Sequence, residues 1–126
     1  MWQKPYRPKG EITQPYNDGI LTVYAVSDAA PAGYQPVAQL TKKVVLRFEE
    51  RALGINRYYA GRQNQIKIER VLRVPRRTDV STQDVVMTSG SETAYRIDLI
   101  QAVTDVYPPS MDLTLVRYQQ RYEVIS

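Results

Sequence analysis

Apolar and polar positions along this chain alternate in short stretches, and Gly, Pro, Ser, Asn and Asp punctuate them. No long stretch keeps a helical period. "ILTVYAV" (20–26) is dominated by β-branched and aromatic residues and predicts a strand. "SDAAPAGYQPVAQ" (27–39) carries Pro31, Gly33 and Pro36 and predicts a loop. "KKVVLRFEERAL" (42–53) sets Val44, Leu46 and Phe48 against Lys43 and Arg47, again a strand, with "RFEERAL" also compatible with a helical turn. "INRYYAGRQNQ" (55–65) has no clean period and reads as a bulged strand or a loop.

Farther along, "IKIERVLRV" (66–74) places Ile66, Ile68, Leu72 and Val74 on one face, interrupted by Arg70. The opposite face holds Lys67, Glu69 and Arg73 with Val71. "PRRTDVSTQD" (75–84) predicts a polar loop. Ser81-Thr-Gln-Asp84 matches the helix capping pattern, but the "VVM" after it is short and β-branched and predicts a strand. "TSGSE" (88–92) predicts a turn. Residues 94–124 then form a hairpin. A strand over 95–103 sets Tyr95, Ile97, Leu99 and Val103 on one face, "DVYPPSMD" turns the chain, and a last strand fills 111–124.

The sum is an all-β, mainly antiparallel fold, a small β-barrel or sandwich of roughly six strands. Residues 1–126 form a single domain by length, with an extended arm over 1–19 and the β-barrel over 20–126. Pro5, Pro8 and Pro15 keep the arm extended, and Trp2, Tyr6 and Arg7 are its candidate contacts with a neighbour.

Composition bears on function in two ways. The chain has no cysteine and no histidine, which removes disulfides, thiolate chemistry, the usual general base and the commonest metal ligand. Charge is also uneven. The net charge is +4, yet residues 42–77 hold eleven Lys/Arg against three Glu. That asymmetry favours an acidic partner, nucleic acid or protein, against the plainer reading of a solvated basic face. The N-terminus has no apolar signal-peptide core, and no run reaches the ~18 apolar residues of a membrane span. A chain made in the cytoplasm, with no membrane partner, is expected.

No catalytic constellation is evident in the sequence. Asp98, Asp105 and Asp112 are spaced by seven, but a strand–turn–strand path scatters them. A serine nucleophile would need lysine as its base, and there is no Ser-x-x-Lys. The six glycines form neither a dinucleotide-binding nor a phosphate-binding loop. The expectation is no enzyme, no metal and no cofactor. A nucleic-acid-binding barrel has more material, with Arg57, Arg62, Lys67, Arg70, Arg73, Arg76 and Arg77 near Tyr58 and Tyr59. Protein interfaces have at least as much, since Tyr and Arg are typical anchors and the chain holds ten Tyr and twelve Arg against five Lys.

The order of elements supplies a resemblance. "VSTQDVVMTSGSETAYRIDLIQAVTDVYPPSMDLTLVRY" resembles the C-terminal half of small head–tail connector proteins of tailed bacteriophages. There, a t-x-x-D-x-V segment precedes a turn, a Y-x-I strand, a polar turn and a final L-x-L strand. Here these are Thr82 to Val86, Tyr95-Arg96-Ile97 and Leu113-Thr114-Leu115. "KPYRPKGEITQPYNDGILTVYAV" is similar to versions from phages of Gram-positive bacteria, in which an arm leads into the first strand. The likeness spans about two-thirds of the chain. The arginine-rich segment and tryptophan strand that open many head–tail adaptors are not matched, since Trp2 lies in the arm. Stopper (head-closure), tail-completion and other neck roles stay open.

The resemblance implies a structural protein of the virion neck. It would assemble as a ring between the portal or adaptor and the tail, with packaged DNA in the channel and one long loop helping to close it. A subunit that is monomeric when free is compatible with this. The long polar segments "YYAGRQNQ" and "VPRRTDVSTQD" are the candidate ring or channel contacts. Their residues are Arg57, Tyr58, Tyr59, Arg62, Arg73, Arg76, Arg77, Asp79 and Gln83.

Overall fold

The computed structural model describes residues 12–28, 37–52 and 67–125, and these hold strands and no helix. The strands are β1 (Ile12–Thr13), β2 (Gly19–Asp28), β3 (Ala38–Arg51), β4 (Arg70–Pro75) and β5 (Val85–Thr88). They continue with β6 (Ala94–Val103), β7 (Val106–Tyr107), β8 (Ser110–Arg117) and β9 (Tyr122–Ile125).

Hydrogen-bonded neighbours run β2-β5-β6-β8-β4-β3, and β3 pairs back onto β2. Every pairing in this ring is antiparallel. The all-β expectation is met, and the strand ring closes in a barrel-like way. Two parallel pairings are added: β9 joins β3 at Ala38–Thr41, and β1 joins β7.

One hydrophobic cluster gathers Leu21, Val23, Phe48, Leu72, Ile97 and Leu115 from five strands of the ring. Each fully buried Leu or Ile stabilises the fold by roughly 1.5–3 kcal/mol. A second cluster has Leu40, Val85 and Ala94, with Tyr24, Tyr118 and Tyr122 packed on it. Val85 and Val86 are consecutive, both fully buried, and belong one to each cluster. Neighbouring side chains of a strand point to opposite faces, so the clusters lie on the two sides of the sheet.

Two bulges set which residues reach which cluster. The β2–β3 register shifts where Val23 pairs with Val44 and Tyr24 with Lys42, so Lys43 is the extra residue. It reverses the alternation of β3. Val44, Leu46 and Phe48 face the first cluster, whereas Leu40, although even-numbered like them, joins the second. In β6 the extra residue is Asp98. The expected face of Tyr95, Ile97, Leu99 and Val103 is therefore broken: Leu99 is 38% exposed and Ile100 packs on the core instead.

Other boundaries also differ from the sequence reading. β3 begins at Ala38, inside the expected 27–39 loop, and continues as strand to Arg51. Residues 67–69 carry no regular structure and β4 starts at Arg70, later than the expected start at 66. The last strand is two strands, because β8 stops at Arg117 and the chain crosses to pair with β3. The capping pattern at Ser81 closes a turn, not a helix. Asp84 Oδ2 accepts the Ser81 N–H at 2.9 Å, Ser81 O accepts the Asp84 N–H at 3.2 Å, and Gln83 takes φ +75°. The segment 55–65 lies outside the described residues.

Candidate interaction surface

The arm residues 12–16 lie against the hairpin formed by β6 and β8. Ile12 N–H donates to Asp105 O at 3.2 Å and Gln14 N–H to Tyr107 O at 2.7 Å, so β1 adds to β7 at the hairpin tip. The "DVYPPSMD" turn, which contains a cis Tyr107–Pro108 bond, is thus the dock of the arm. Tyr16 Oη lies 2.5 Å from Ser110 Oγ. This contact helps explain why β8 is buried on both faces, with Ser110, Asp112 and Thr114 at most 2% exposed despite their polarity.

Under the arm, Arg73 is fully engaged. Its Nε and Nη2 donate to the two oxygens of Asp112 at 2.7 and 3.1 Å, and its Nη1 donates to Gln14 Oε1 at 3.0 Å. The hydrogen bond to Asp112 raises the Arg73 pKa above its ordinary value, against the opposing effect of burial. Arg73 therefore joins β4, β8 and the arm, and its guanidinium is turned into the chain.

The β4–β5 loop meets the same hairpin tip. Arg76 N–H donates to Pro109 O at 3.0 Å, and Val80, 6% exposed, anchors the loop in the first cluster. Between those fixed points the loop presents its charges. Arg77 and Asp79 form an exposed two-bond pair, 2.8 Å in each bond. That pair raises the arginine pKa and holds the Asp79 carboxyl below its ordinary value. The Arg76 side chain is exposed and has no ion-pair partner among the described residues. Ile12, 67% exposed, and Tyr107, 41% exposed, are further exposed side chains at this tip, on opposite faces of the β1–β7 pairing because Ile12 pairs with Val106 and Thr13 with Tyr107. Exposed aliphatic, aromatic and cationic groups around one tip suit protein contacts.

The loop candidates Arg76, Arg77, Asp79 and Gln83 are thus all exposed. Arg57, Tyr58, Tyr59 and Arg62 lie outside the described residues, as do Trp2, Tyr6 and Arg7. The sequence reading missed Ile12 and Tyr107, which lie in the two strands that the β1–β7 pairing joins. It took Arg70 as an interruption of the apolar face and as one of the basic residues available to nucleic acid. In the structure Arg70 sits 5.8 Å from the Phe48 ring centroid and 5.5 Å from that of Tyr95, bound to both Glu50 oxygens and to Thr88 Oγ1 at 3.1 Å. The hydrogen bond to Glu50 leads the causes that raise its pKa. Placed on the inward face at the start of β4, it covers that part of the core with a paired charge.

No family model matches this chain, and no curated protein is significantly similar to it.

Proposed function

We propose that this chain is a structural subunit of the head–tail junction of a tailed bacteriophage. In this reading it assembles as a ring that joins the portal or connector to the tail and helps close the DNA channel. The observation that carries the reading is the composite surface at the hairpin tip. An arm is strapped to the β6–β8 turn, and a charged loop is fixed to the same turn by the Arg76–Pro109 bond, so three segments meet there and carry the exposed Ile12, Tyr107 and Arg76. A ring subunit needs such a surface to meet its neighbours. The motif order of the C-terminal half, from Thr82 to Leu115, supplies the choice of particle. A tail-completion subunit of the same particle uses the same surface.

The nucleic-acid-binding alternative is weakened by the partners of the basic residues. Arg70, Arg73 and Arg77 each hold a carboxylate of the chain through two bonds, which leaves them less charge to offer phosphates. The experiment is localisation: gold-labelled antibody on intact tailed particles from the host lysate, imaged by electron microscopy. Label at the head–tail junction is expected. Particles that lack the protein overturn the reading, and a salt-dependent DNA titration then takes its place.

A further inference from the structure

We propose that the outer tyrosine face around Tyr118 receives the proline-bearing start of the arm, residues 1–10, from a second copy of this chain. In the ring reading, on which this contact rests, it is the joint between one subunit and the next.

The face is the second hydrophobic cluster. Leu40, Val85 and Ala94 are buried there, while Tyr24, Met87, Tyr118 and Tyr122 pack on them and stay half-buried. The Tyr118 and Tyr122 ring centroids lie 6.0 Å apart, with the rings tilted by 47°. A pocket of about 320 Å3 opens beside Tyr118 and is also lined by Val26, Gln83 and Gln120. Its charged walls are paired within the chain, Asp84 with Lys43 at 2.7 Å and Arg96 with Asp98 at 3.5 Å. Ring and aliphatic surface is left for a ligand, with the carboxamides of Gln83 and Gln120 and the Tyr118 hydroxyl as donors. Burial raises the Tyr118 pKa, so that hydroxyl stays protonated. Aromatic-lined surfaces of this kind suit proline-rich segments, whose carbonyls need donors and whose prolines bring no N–H.

The arm has the matching chemistry. "MWQKPYRPKG" (1–10) carries Trp2, Pro5 and Pro8 at every third position. Polyproline geometry has three residues per turn, so these three share one edge, and Lys4 and Arg7 share another. An apolar edge that leaves its cations aside fits a face whose own charges are already paired.

Reach decides which copy supplies it. Ile12 is tied to Asp105 and Val106 at the hairpin tip. Tyr118 N–H donates to Ala94 O at the other end of β6, whose 10 residues span roughly 30 Å. Counted back from Ile12, Pro8 reaches about 14 Å and Pro5 about 25 Å at full extension. The arm therefore cannot lay both prolines on its own tyrosine face. Arm and face are two different surfaces, so their contact repeats head to tail from copy to copy, as a ring requires.

The test uses the full chain. It has no cysteine, so Gln3→Cys takes a single nitroxide spin label. Spin-labelled chain without 15N is mixed with 15N wild-type chain, and amide broadening is read by NMR against the same sample reduced with ascorbate. Expected is broadening of the Tyr118, Gln120 and Tyr122 amides that grows with concentration. It should fall several-fold when the spin-labelled chain also carries Pro5→Ala and Pro8→Ala, changes that leave the body untouched. A second sample carries 15N and nitroxide on one chain, diluted in excess unlabelled wild type. Broadening of the tyrosine face in that sample alone makes the occupant the chain's own arm and overturns the proposal. So does a mixed sample without broadening, or broadening indifferent to the prolines. Localisation fails separately: joined copies in a protein absent from the particle defeat only the neck reading, and a neck protein whose tyrosine face stays sharp defeats only this joint.

Discussion

The Asp112 carboxylate is clasped by the Arg73 guanidinium through two bonds, and the pair lies beneath the arm with side-chain exposures of 3% and 12%. Taking away one member of such a pair leaves the other charged and largely desolvated. Asp112→Ala should therefore cost about 3–5 kcal/mol, measured from urea midpoints. Arg73→Met combined with Asp112→Leu should cost clearly less than that single change. The raised Arg73 pKa sets the sign with pH: its stabilisation is fully present below the ordinary arginine value and is lost only as pH rises through the folded value. No stability change between neutral pH and pH ~10 should trace to this arginine.

The exposed pair on the β4–β5 loop titrates at the other end of the scale. The Asp79 carboxyl is held below its ordinary value by the hydrogen bonds from Arg77. A depressed carboxyl stabilises above its unfolded pKa and loses that contribution as pH falls through the folded one. Carboxyl-carbon NMR should give a low midpoint for Asp79 that returns to the ordinary range in Arg77→Ala. An unchanged midpoint would show that the pair does not form in solution.

Gly19 opens β2 at φ +138°, where a Cβ would stand 3.2 Å from Phe48 Cε1 and 3.3 Å from Ser89 Oγ. Gly19→Ala combines backbone strain with crowding against a core ring, and about 1–3 kcal/mol of destabilisation is expected. Gly90 also has positive φ, but its Cβ position is open, with nothing within 4 Å. Gly90→Asn should cost roughly 1 kcal/mol or less, because Asn tolerates this conformation. The two thermal melts side by side separate crowding from backbone strain.

Arg70 holds Glu50 and Thr88 while lying over the Phe48 and Tyr95 rings. Arg70→Ala should lower stability by about 2 kcal/mol and change the near-ultraviolet dichroism of the tyrosines. Arg70→Met keeps the stem over the rings and should recover part of the loss. Equal losses for both would assign the whole effect to the charge.

Much of the strand pattern was legible, since β2, β5 and the β6–β8 hairpin follow from alternation and turn residues. The bulges were not. Lys43 and Asp98 are ordinary strand residues with no glycine to mark them, and each moves neighbours to the face opposite the one simple counting gives. The burial of the polar side of β8 was hidden for another reason. Ser110, Asp112 and Thr114 alternate with apolar residues, but Tyr16 bonds to Ser110, and Arg73, itself held by Gln14, pairs with Asp112. Exposure of the Arg76–Asp79 loop could be read from its polarity. Its bond to Pro109 and the docking of the arm on Val106–Tyr107 could not, because both join segments far apart in sequence.

If the hairpin-tip surface is a subunit contact, disrupting it should spare the fold. Ile12→Asp with Arg76→Glu changes two exposed side chains and should alter stability by no more than about 0.5 kcal/mol per site. The variant's incorporation into particles should fall several-fold, scored by quantitative blotting of purified virions. Normal incorporation would remove this surface from the assembly.

The bulge at Lys43 gives β3 one residue of slack. Deleting that residue would restore plain alternation with the pairing of β2 unchanged, so Leu40, Leu46 and Phe48 would keep the faces they hold now. The same deletion at Val45 would turn Val44 to the face opposite Leu46. A loss of length is therefore tolerated at the bulge and not two residues away, and no choice of side chain at Lys43 tells the two sites apart.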